Sequence, residues 1–435
     1  LAAAYELAQR RVPFTVLEAS KRAGGLILTE HVDGFTLDAG PDSMLVQKPA
    51  ALELCNELGL GPGLVSTNLP RTAFVLKGRT LFPLPTASVL GIPTTWSGLV
   101  GCDLLTPGAR ARLALEPLVP RTRRADDESV ASFFRRRFGR ETVESIAQPL
   151  VGGIHAGTVD SLSMRALLPT LVETETRQGS IIRAFRRTRA NASDGLFRSL
   201  ATGMGDLPAA LERRLPAGSI RFGARATALQ SAPGGWRVTA GGETLEASTV
   251  ILTTPSYVTA DLLAPIDAQA AALCRETTYV STASVLLAWP RASVAHALDG
   301  SGFVVARRYS DVRITACTWV TSKWQGRAPA GSTLLRAFLG GSHDPDVASL
   351  NDEALTRIAV RDLAGVLGIS GPPAFGRVYR WVDASAQYHV GHLSRVAALD
   401  RRLAAHPGLR LAGSGYRSIG IPDCIADGRA VATRE

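Results

Sequence analysis

Apolar and polar positions alternate along this chain in short runs of two different periods. Leu1-Ala2-Ala3-Ala4-Tyr5-Glu6-Leu7-Ala8 has the spacing of a helix, and Val12-Pro13-Phe14-Thr15-Val16-Leu17 is a β-rich run that ends on Glu18. A Gly-rich loop, a short strand before Gly40-Pro41 and a helix from near Pro49 to Gly59 complete an α/β pattern over residues 1–64. Phe74-Val75-Leu76 and Arg79-Thr80-Leu81-Phe82 predict a hairpin turning on Lys77-Gly78. Residues 108–190 read as mainly helical, with Asp126-Asp127-Glu128 favouring the start of a helix that carries Phe133 and Phe134. Between 196 and 255 the α/β pattern returns: Asp206 is expected to cap a helix through Leu215, followed by strands at 220–229, 236–239 and 250–255. From 271 to 407, strands at 284–289, 313–320 and 333–339 surround one long helix near 352–367. The chain closes on an apolar strand, Leu409-Arg410-Leu411-Ala412-Gly413, and a helix containing Gly428.

This order implies a doubly wound α/β domain assembled from residues 1–64, 196–270 and 408–435. A hairpin and helical domain occupies 72–190, and an α+β domain occupies 271–407. From Thr80 to Cys102 no charge appears, but Pro83, Pro85, Pro93, Gly91, Gly98 and Gly101 break any spanning helix, so a buried or interfacial loop is expected.

With 435 residues and 46% hydrophobic content the chain can bury a sizeable core. The five cysteines (Cys55, Cys102, Cys274, Cys317, Cys424) show no C-x-x-C pair, which argues against zinc or a disulfide framework and fits a reducing compartment. A net charge of +10 invites anionic partners, yet lysine occurs only at Lys21, Lys48, Lys77 and Lys323, so the excess is arginine and reads as composition rather than a nucleic-acid surface. Arginines cluster at 121, 123, 124, 135–137 and 140, and again at 183, 186, 187 and 189, which leaves a membrane-facing surface open.

The chemistry concentrates at the two ends. Glu18, closing a β-run, suits the ribose hydroxyls of a dinucleotide, and Gly24-Gly25 allows close backbone approach to a ligand. The phosphate loop G-x-G-x-x-G is not found; Leu1–Ala8 reads as the helix that follows it, so the chain is expected to be a partial sequence. Ser414-Gly415-Tyr416-Arg417-Ser418-Ile419-Gly420-Ile421-Pro422-Asp423 places a glycine pair after a buried strand and Pro422 at a helix start, which leaves amides free to face a flavin pyrophosphate or the isoalloxazine carbonyls.

These segments, with Gly34-Phe35-Thr36-Leu37-Asp38-Ala39-Gly40-Pro41-Asp42-Ser43, Gln148-Pro149-Leu150-Val151-Gly152-Gly153-Ile154-His155-Ala156-Gly157, Thr202-Gly203-Met204-Gly205-Asp206 and Gln387-Tyr388-His389-Val390-Gly391-His392, resemble the oxygen-dependent protoporphyrinogen and coproporphyrinogen III oxidases of the flavin amine oxidase superfamily. The resemblance implies an FAD enzyme of haem biosynthesis that oxidises a porphyrinogen to a porphyrin, with O2 as acceptor and H2O2 as by-product. It implies FAD contacts at Glu18, Ala19, Arg22, Gly24, Gly25, Leu26, Gly40, Pro41, Asp42, Ser43, Ala226, Ser414, Ile419, Gly420 and Ile421, and needs neither a catalytic side chain nor a metal. The substrate's propionates require a cationic anchor, for which Lys48, Arg71 and Arg79 are the candidates.

Lys48 sits where the coproporphyrinogen branch carries a lysine, and Ala73 stands where protoporphyrinogen-type members carry an arginine, which tilts the expectation toward coproporphyrinogen III. Gln387, Tyr388 and His392 read equally as structural groups or substrate contacts. The resemblance also implies a cytoplasmic protein, with peripheral contact to the inner face of the cell membrane and hand-off of product to a ferrochelatase. Two other readings stay open: another flavin oxidase of the amine oxidase or carotenoid desaturase type, and a flavin-free remnant without activity. Oligomeric state is not legible.

Overall fold

The computed structural model describes residues 1–122, 126–187 and 195–433; Arg123, Arg124 and Arg189 of the arginine clusters lie outside the described residues. Two short parallel strand pairs organise the first domain. Val16–Glu18 pairs with Ile220–Phe222, and Val250–Leu252 pairs with Leu409–Leu411. Helices Ala2–Gln9 and Ile421–Thr433, from opposite ends of the chain, pack so closely that a Cβ on Gly428 would lie 3.1 Å from that of Ala2. Arg429 ties them, with Nε 3.1 Å from Glu6 and Nη1 2.9 Å from Glu57 on helix Ala50–Glu57. Tyr5, Leu54, Cys55, Leu211 and Ile425 form the core beneath.

The second unit is a seven-stranded sheet in the order Phe375–Ala386, Tyr279–Pro290, Ser332–Gly340, Ala316–Trp319, Gly302–Val305, Ala73–Lys77, Thr80–Pro83. Its strands pair antiparallel except Gly302–Val305 with Ala73–Lys77. Helix Asp352–Leu367 covers one face because Leu355, Ala359, Leu363 and Leu367 recur at helical spacing and pack on Val285, Leu287 and Leu335. Asn351 caps its start by accepting from the Ala354 amide at 2.9 Å, and Gly368, at φ +61°, ends it in a left-handed turn.

The third unit is helical and buries Phe133, Phe134 and Phe138 of helix Val130–Phe138, each adding about 2–3 kcal/mol. Its polar centre is the fully buried pair Arg137–Glu116, whose carboxylate also accepts from Ser180 Oγ at 2.6 Å and the Ile181 amide at 3.1 Å. Residues Val143–Gly152 form a wide π-helix around Pro149, which cannot donate to an α-helical ladder.

Several local expectations change. The hairpin turns on Gly78-Arg79, since Lys77 pairs with Thr80, and it extends the seven-stranded sheet while Val75 and Phe82 pack into the core of the helical layer. The expected strand at 220–229 splits into Ile220–Phe222 and Ala226–Ala232, which belong to different sheets. Asp206 begins its helix and does not cap it; Gly205 precedes it, and the Asp206 carboxylate accepts from Thr202. Strand 313–320 shortens to Ala316–Trp319 and runs into one helical turn, Val320–Lys323. All five cysteines are free, and four of them are buried. Among the described residues no helix is long and apolar enough to cross a membrane.

Candidate functional site

In a parallel α/β arrangement the ligand crevice lies beyond the carboxyl ends of the strands. Glu18 ends one strand here, and Ala412-Gly413 follows the other. Glu18 is half-buried, and its Oε1 accepts from the Ser20 amide at 2.7 Å, which fixes the turn that carries Ala19. Arg22 donates to the Ala23 carbonyl at 3.1 Å, to Ile27 at 3.0 Å and to Gly25, so the guanidinium clamps the glycine loop from within. Gly24 is pressed against Pro208 at φ +102°, whereas Gly25, at φ +57°, has nothing within 4 Å of a Cβ position. The exposed backbone of Gly25 and the 41% exposed Leu26 face open space.

Segment 40–43 is the most firmly held part of the site. A Cβ on Gly40 would fall 1.8 Å from the Leu26 carbonyl oxygen, so only glycine lets the two loops meet. The preceding Ala39 carbonyl accepts three donors from the seven-stranded sheet: Ser284 Oγ at 3.0 Å, Arg336 Nη2 at 2.7 Å and Trp381 Nε1 at 3.1 Å. Asp42 accepts from Lys323 Nζ at 2.8 Å and Trp324 Nε1 at 3.1 Å. Burial opposes its charge, yet the Lys323 ammonium and the Arg336 guanidinium hold the Asp42 carboxyl well below the usual carboxylate range. Ser43 Oγ donates to Asp42 at 2.8 Å. Nearby, burial raises the Asp38 carboxyl despite Arg327 at 3.3 Å. Ser284, Lys323, Trp324, Arg336 and Trp381 escaped the sequence reading; a lone arginine inside Thr333-Leu334-Leu335-Arg336-Ala337-Phe338-Leu339 was the legible signal.

The closing motif is held from the other side. Tyr388 donates to the Ser414 carbonyl at 3.0 Å and stacks on His392 at 3.7 Å between ring centroids. Burial pushes the His392 imidazole down to about 4, so it is neutral at pH 7; Arg395 donates to Nδ1 at 2.9 Å, which leaves Nε2–H for the Tyr416 carbonyl at 2.6 Å. Gly415 lies where a Cβ would approach the Tyr279 hydroxyl at 2.7 Å. These contacts make Tyr388 and His392 supports of the motif. Ile419 is 37% exposed, and the adjacent Ser418 Oγ is buried without a hydrogen-bond partner.

Helix Ile421–Thr433 starts with Pro422 inside it and Asp423 in its first turn, and Lys48 pairs with Asp423 at 2.6 Å. Lys48 offsets that carboxylate, so charge alone excludes neither of the two groups considered for this helix end, the isoalloxazine carbonyls or the pyrophosphate. The donor set suits FAD: a carboxylate at a strand end, glycines that permit backbone approach, and an orphaned hydroxyl in the closing motif. Ala226 opens the antiparallel strand beside the first parallel pair, at a bulge opposite Ala240.

The expected anchors are dispersed. Lys48 is half-exposed and paired, Arg71 donates to Thr67 Oγ1 at 2.9 Å, and Arg79 sits 82% exposed on the hairpin turn, 3.6 Å from Asp311.

A family model described as flavin containing amine oxidoreductase matches residues 1–434. The coproporphyrinogen III oxidase of Bacillus subtilis (strain 168) is 37% identical over 99% of this chain and 94% of its own length. The chloroplastic protoporphyrinogen oxidase 1 of Spinacia oleracea is 28% identical over 95% of this chain and 77% of its own. A solved structure from Exiguobacterium sp. 255-15, described as "Putative protoporphyrinogen oxidase", superposes with a TM-score of 0.89 at 33% identity, covering 99% of this chain and 95% of that one.

Proposed function

The chain belongs to the flavin containing amine oxidoreductase family, alongside the coproporphyrinogen III oxidases, and on that premise we propose that it oxidises coproporphyrinogen III to coproporphyrin III, passing electrons through FAD to O2 and releasing H2O2. The near full-length match to the Bacillus subtilis coproporphyrinogen III oxidase carries this reading. Bound FAD supplies the hydride acceptor, and aromatisation of the macrocycle supplies the driving force.

The protein's own residues bind, orient and exclude water. Glu18 accepts from the ribose hydroxyls, with Ala19 beside it and the Ala226 backbone against the adenine. Arg22 shapes the Gly24-Gly25-Leu26 loop. Gly40, Pro41, Asp42 and Ser43 pass along the ring, fixed to the substrate-side sheet through Ala39 and Asp42. Ser414, Ile419, Gly420 and Ile421 face the opposite edge. Lys48 neutralises Asp423 at the helix start and so sets the charge beside the ring. Arg71 remains a candidate for a propionate approaching from the hairpin side, whereas Arg79 stands in solvent beside Asp311.

An anaerobic mixture of flavin-loaded protein and coproporphyrinogen III tests the reading. Flavin absorbance should bleach, then recover on admission of O2 with H2O2 formed; a flavin that stays oxidised sinks it. Peripheral membrane contact and hand-off to a ferrochelatase extend the proposal. Trp96 and Val100, one helical turn apart and 63% and 70% exposed, support the former; Trp96→Ser should reduce sedimentation with anionic vesicles.

A further inference from the structure

A cleft of about 670 Å³ opens between the helical layer and the end of the seven-stranded sheet. Arg135 and Arg140 flank its helical side, and Arg307 and Arg308 follow the strand Gly302–Val305 on the other. Three of these charges have carboxylates: Arg135 lies 3.5 Å from Asp160, while Arg140 and Arg308 lie 3.5 and 3.2 Å from Glu144. Arg307 is different. Among the described residues no carboxylate lies within ion-pair distance of it, and it donates one long hydrogen bond, 3.4 Å, to the Arg313 carbonyl. Arg313 pairs with Asp344 at 2.6 Å, and that carboxylate reaches Arg307 only through its longer-range charge. Burial pushes the Arg307 guanidinium below its ordinary value against the opposing charge of Asp344, and burial together with the Arg307 charge does the same to His343, which also lines the cleft. A half-buried guanidinium without a counter-ion costs stability unless an anion arrives to meet it.

A much smaller cavity that shares Gln148, Arg307 and His343 with the cleft is lined by Gly152, Gly153, Gly157 and Gly340. Gly340 ends the strand Ser332–Gly340 that carries Arg336, so its Cα lies four residues, about 13 Å at about 3.3 Å each, along the backbone from that of the arginine under Ala39. The glycine wall is thin: a Cβ on Gly157 would meet Gln387 Oε1 at 2.2 Å, and that buried oxygen has no hydrogen-bond partner. The next residue, Tyr388, holds Ser414 of the closing motif.

We propose that Arg307 binds a propionate carboxylate of the tetrapyrrole, making this cleft the anionic end of the substrate site. The assignment rests on the porphyrinogen reading above. It moves the anchor away from Lys48, which Asp423 already occupies, and from Arg79, which stands in solvent.

The test is a fluorescence titration of flavin-loaded protein with coproporphyrin III and with its tetramethyl ester. Wild type should bind the free acid about ten- to hundred-fold more tightly than the ester, the weight of one charge-assisted hydrogen bond. Arg307→Ala should remove that preference without lowering flavin content or melting temperature, Arg307→Lys should restore part of it, and Arg177→Ala, a 78% exposed surface arginine, should leave it intact. Equal binding of acid and ester by wild type overturns the proposal with no variant needed, and so does an acid preference that survives in Arg307→Ala. Oxidation of coproporphyrinogen III by wild type is scored separately: turnover with no effect of Arg307→Ala on KM defeats this inference alone, whereas no turnover by flavin-loaded wild type defeats the function.

Discussion

Gly40→Ala is the substitution on which the geometry bears hardest. Its φ is not in the left-handed region, so alanine could adopt the backbone; space alone forbids it. The new methyl would sit 1.8 Å from the Leu26 carbonyl oxygen and 2.9 Å from its carbon, both backbone atoms that no rotamer change can remove. Either the loop clamped by Arg22 swings out or the Ala39 carbonyl leaves its three donors. Overpacking of a fixed core costs about 1–3 kcal/mol, and each abandoned hydrogen bond adds about 1 kcal/mol, so the loss is about 2–4 kcal/mol if one donor is abandoned and about 4–6 kcal/mol if all three are. Both loops also belong to the proposed cofactor site, so FAD affinity should fall by at least about tenfold. Flavin absorbance after desalting reads occupancy, and thermal unfolding reads stability. Gly365→Ala is the control: Gly365 lies in helix Asp352–Leu367 with nothing within 4 Å of its Cβ position, and the change should raise stability by about 0.5–1 kcal/mol. Wild-type flavin content and melting temperature in Gly40→Ala would refute the reasoning.

Other consequences are read more simply. Glu116→Ala strands the fully buried Arg137 guanidinium and should cost about 3–5 kcal/mol in denaturant unfolding; a loss below about 1 kcal/mol would show that the pair is not buried. Burial would raise the Asp267 carboxyl, but Arg402, the Ala270 amide and His406 hold it down to about 2. A depressed folded pKa gives stability that is present above the unfolded value of about 3.9 and lost as pH falls toward 2, so Asp267→Asn should flatten the stability profile across that window. His392, pushed down to about 4 by burial, works in the same direction between the unfolded value of about 6.5 and 4, and His392→Gln should remove that part of the acid sensitivity in pH-dependent melting.

The two ends of the site were legible in the sequence because they are local. A β-run ending on Glu18, a glycine pair, and a buried strand leading to Pro422 each state their backbone geometry within about ten residues. Helix Asp352–Leu367 was legible for the same reason, through its apolar period and its Gly368 stop. The supports of segment 40–43 were not, because Ser284, Lys323, Arg336 and Trp381 reach it across more than 240 residues of chain, three of them on strands whose order periodicity does not encode and Lys323 from the helical turn after another. The hairpin shows the same limit: its strands were clear, but its parallel partner Gly302–Val305 lies in a different stretch of chain. Charge was misleading in one respect. Lys48 and Arg79 read as available cations from sequence, and the fold gives each a carboxylate, whereas Arg307 drew no attention in a run of two arginines and, of the four arginines lining its cleft, is left without an ion pair.

The account turns on one reaction. Flavin-loaded protein should be run aerobically, in parallel, with coproporphyrinogen III and protoporphyrinogen IX, while porphyrin fluorescence and H2O2 are followed. Flavin-dependent conversion of coproporphyrinogen III, faster than that of protoporphyrinogen IX, is the predicted result. Protein that retains FAD yet oxidises neither would contradict it.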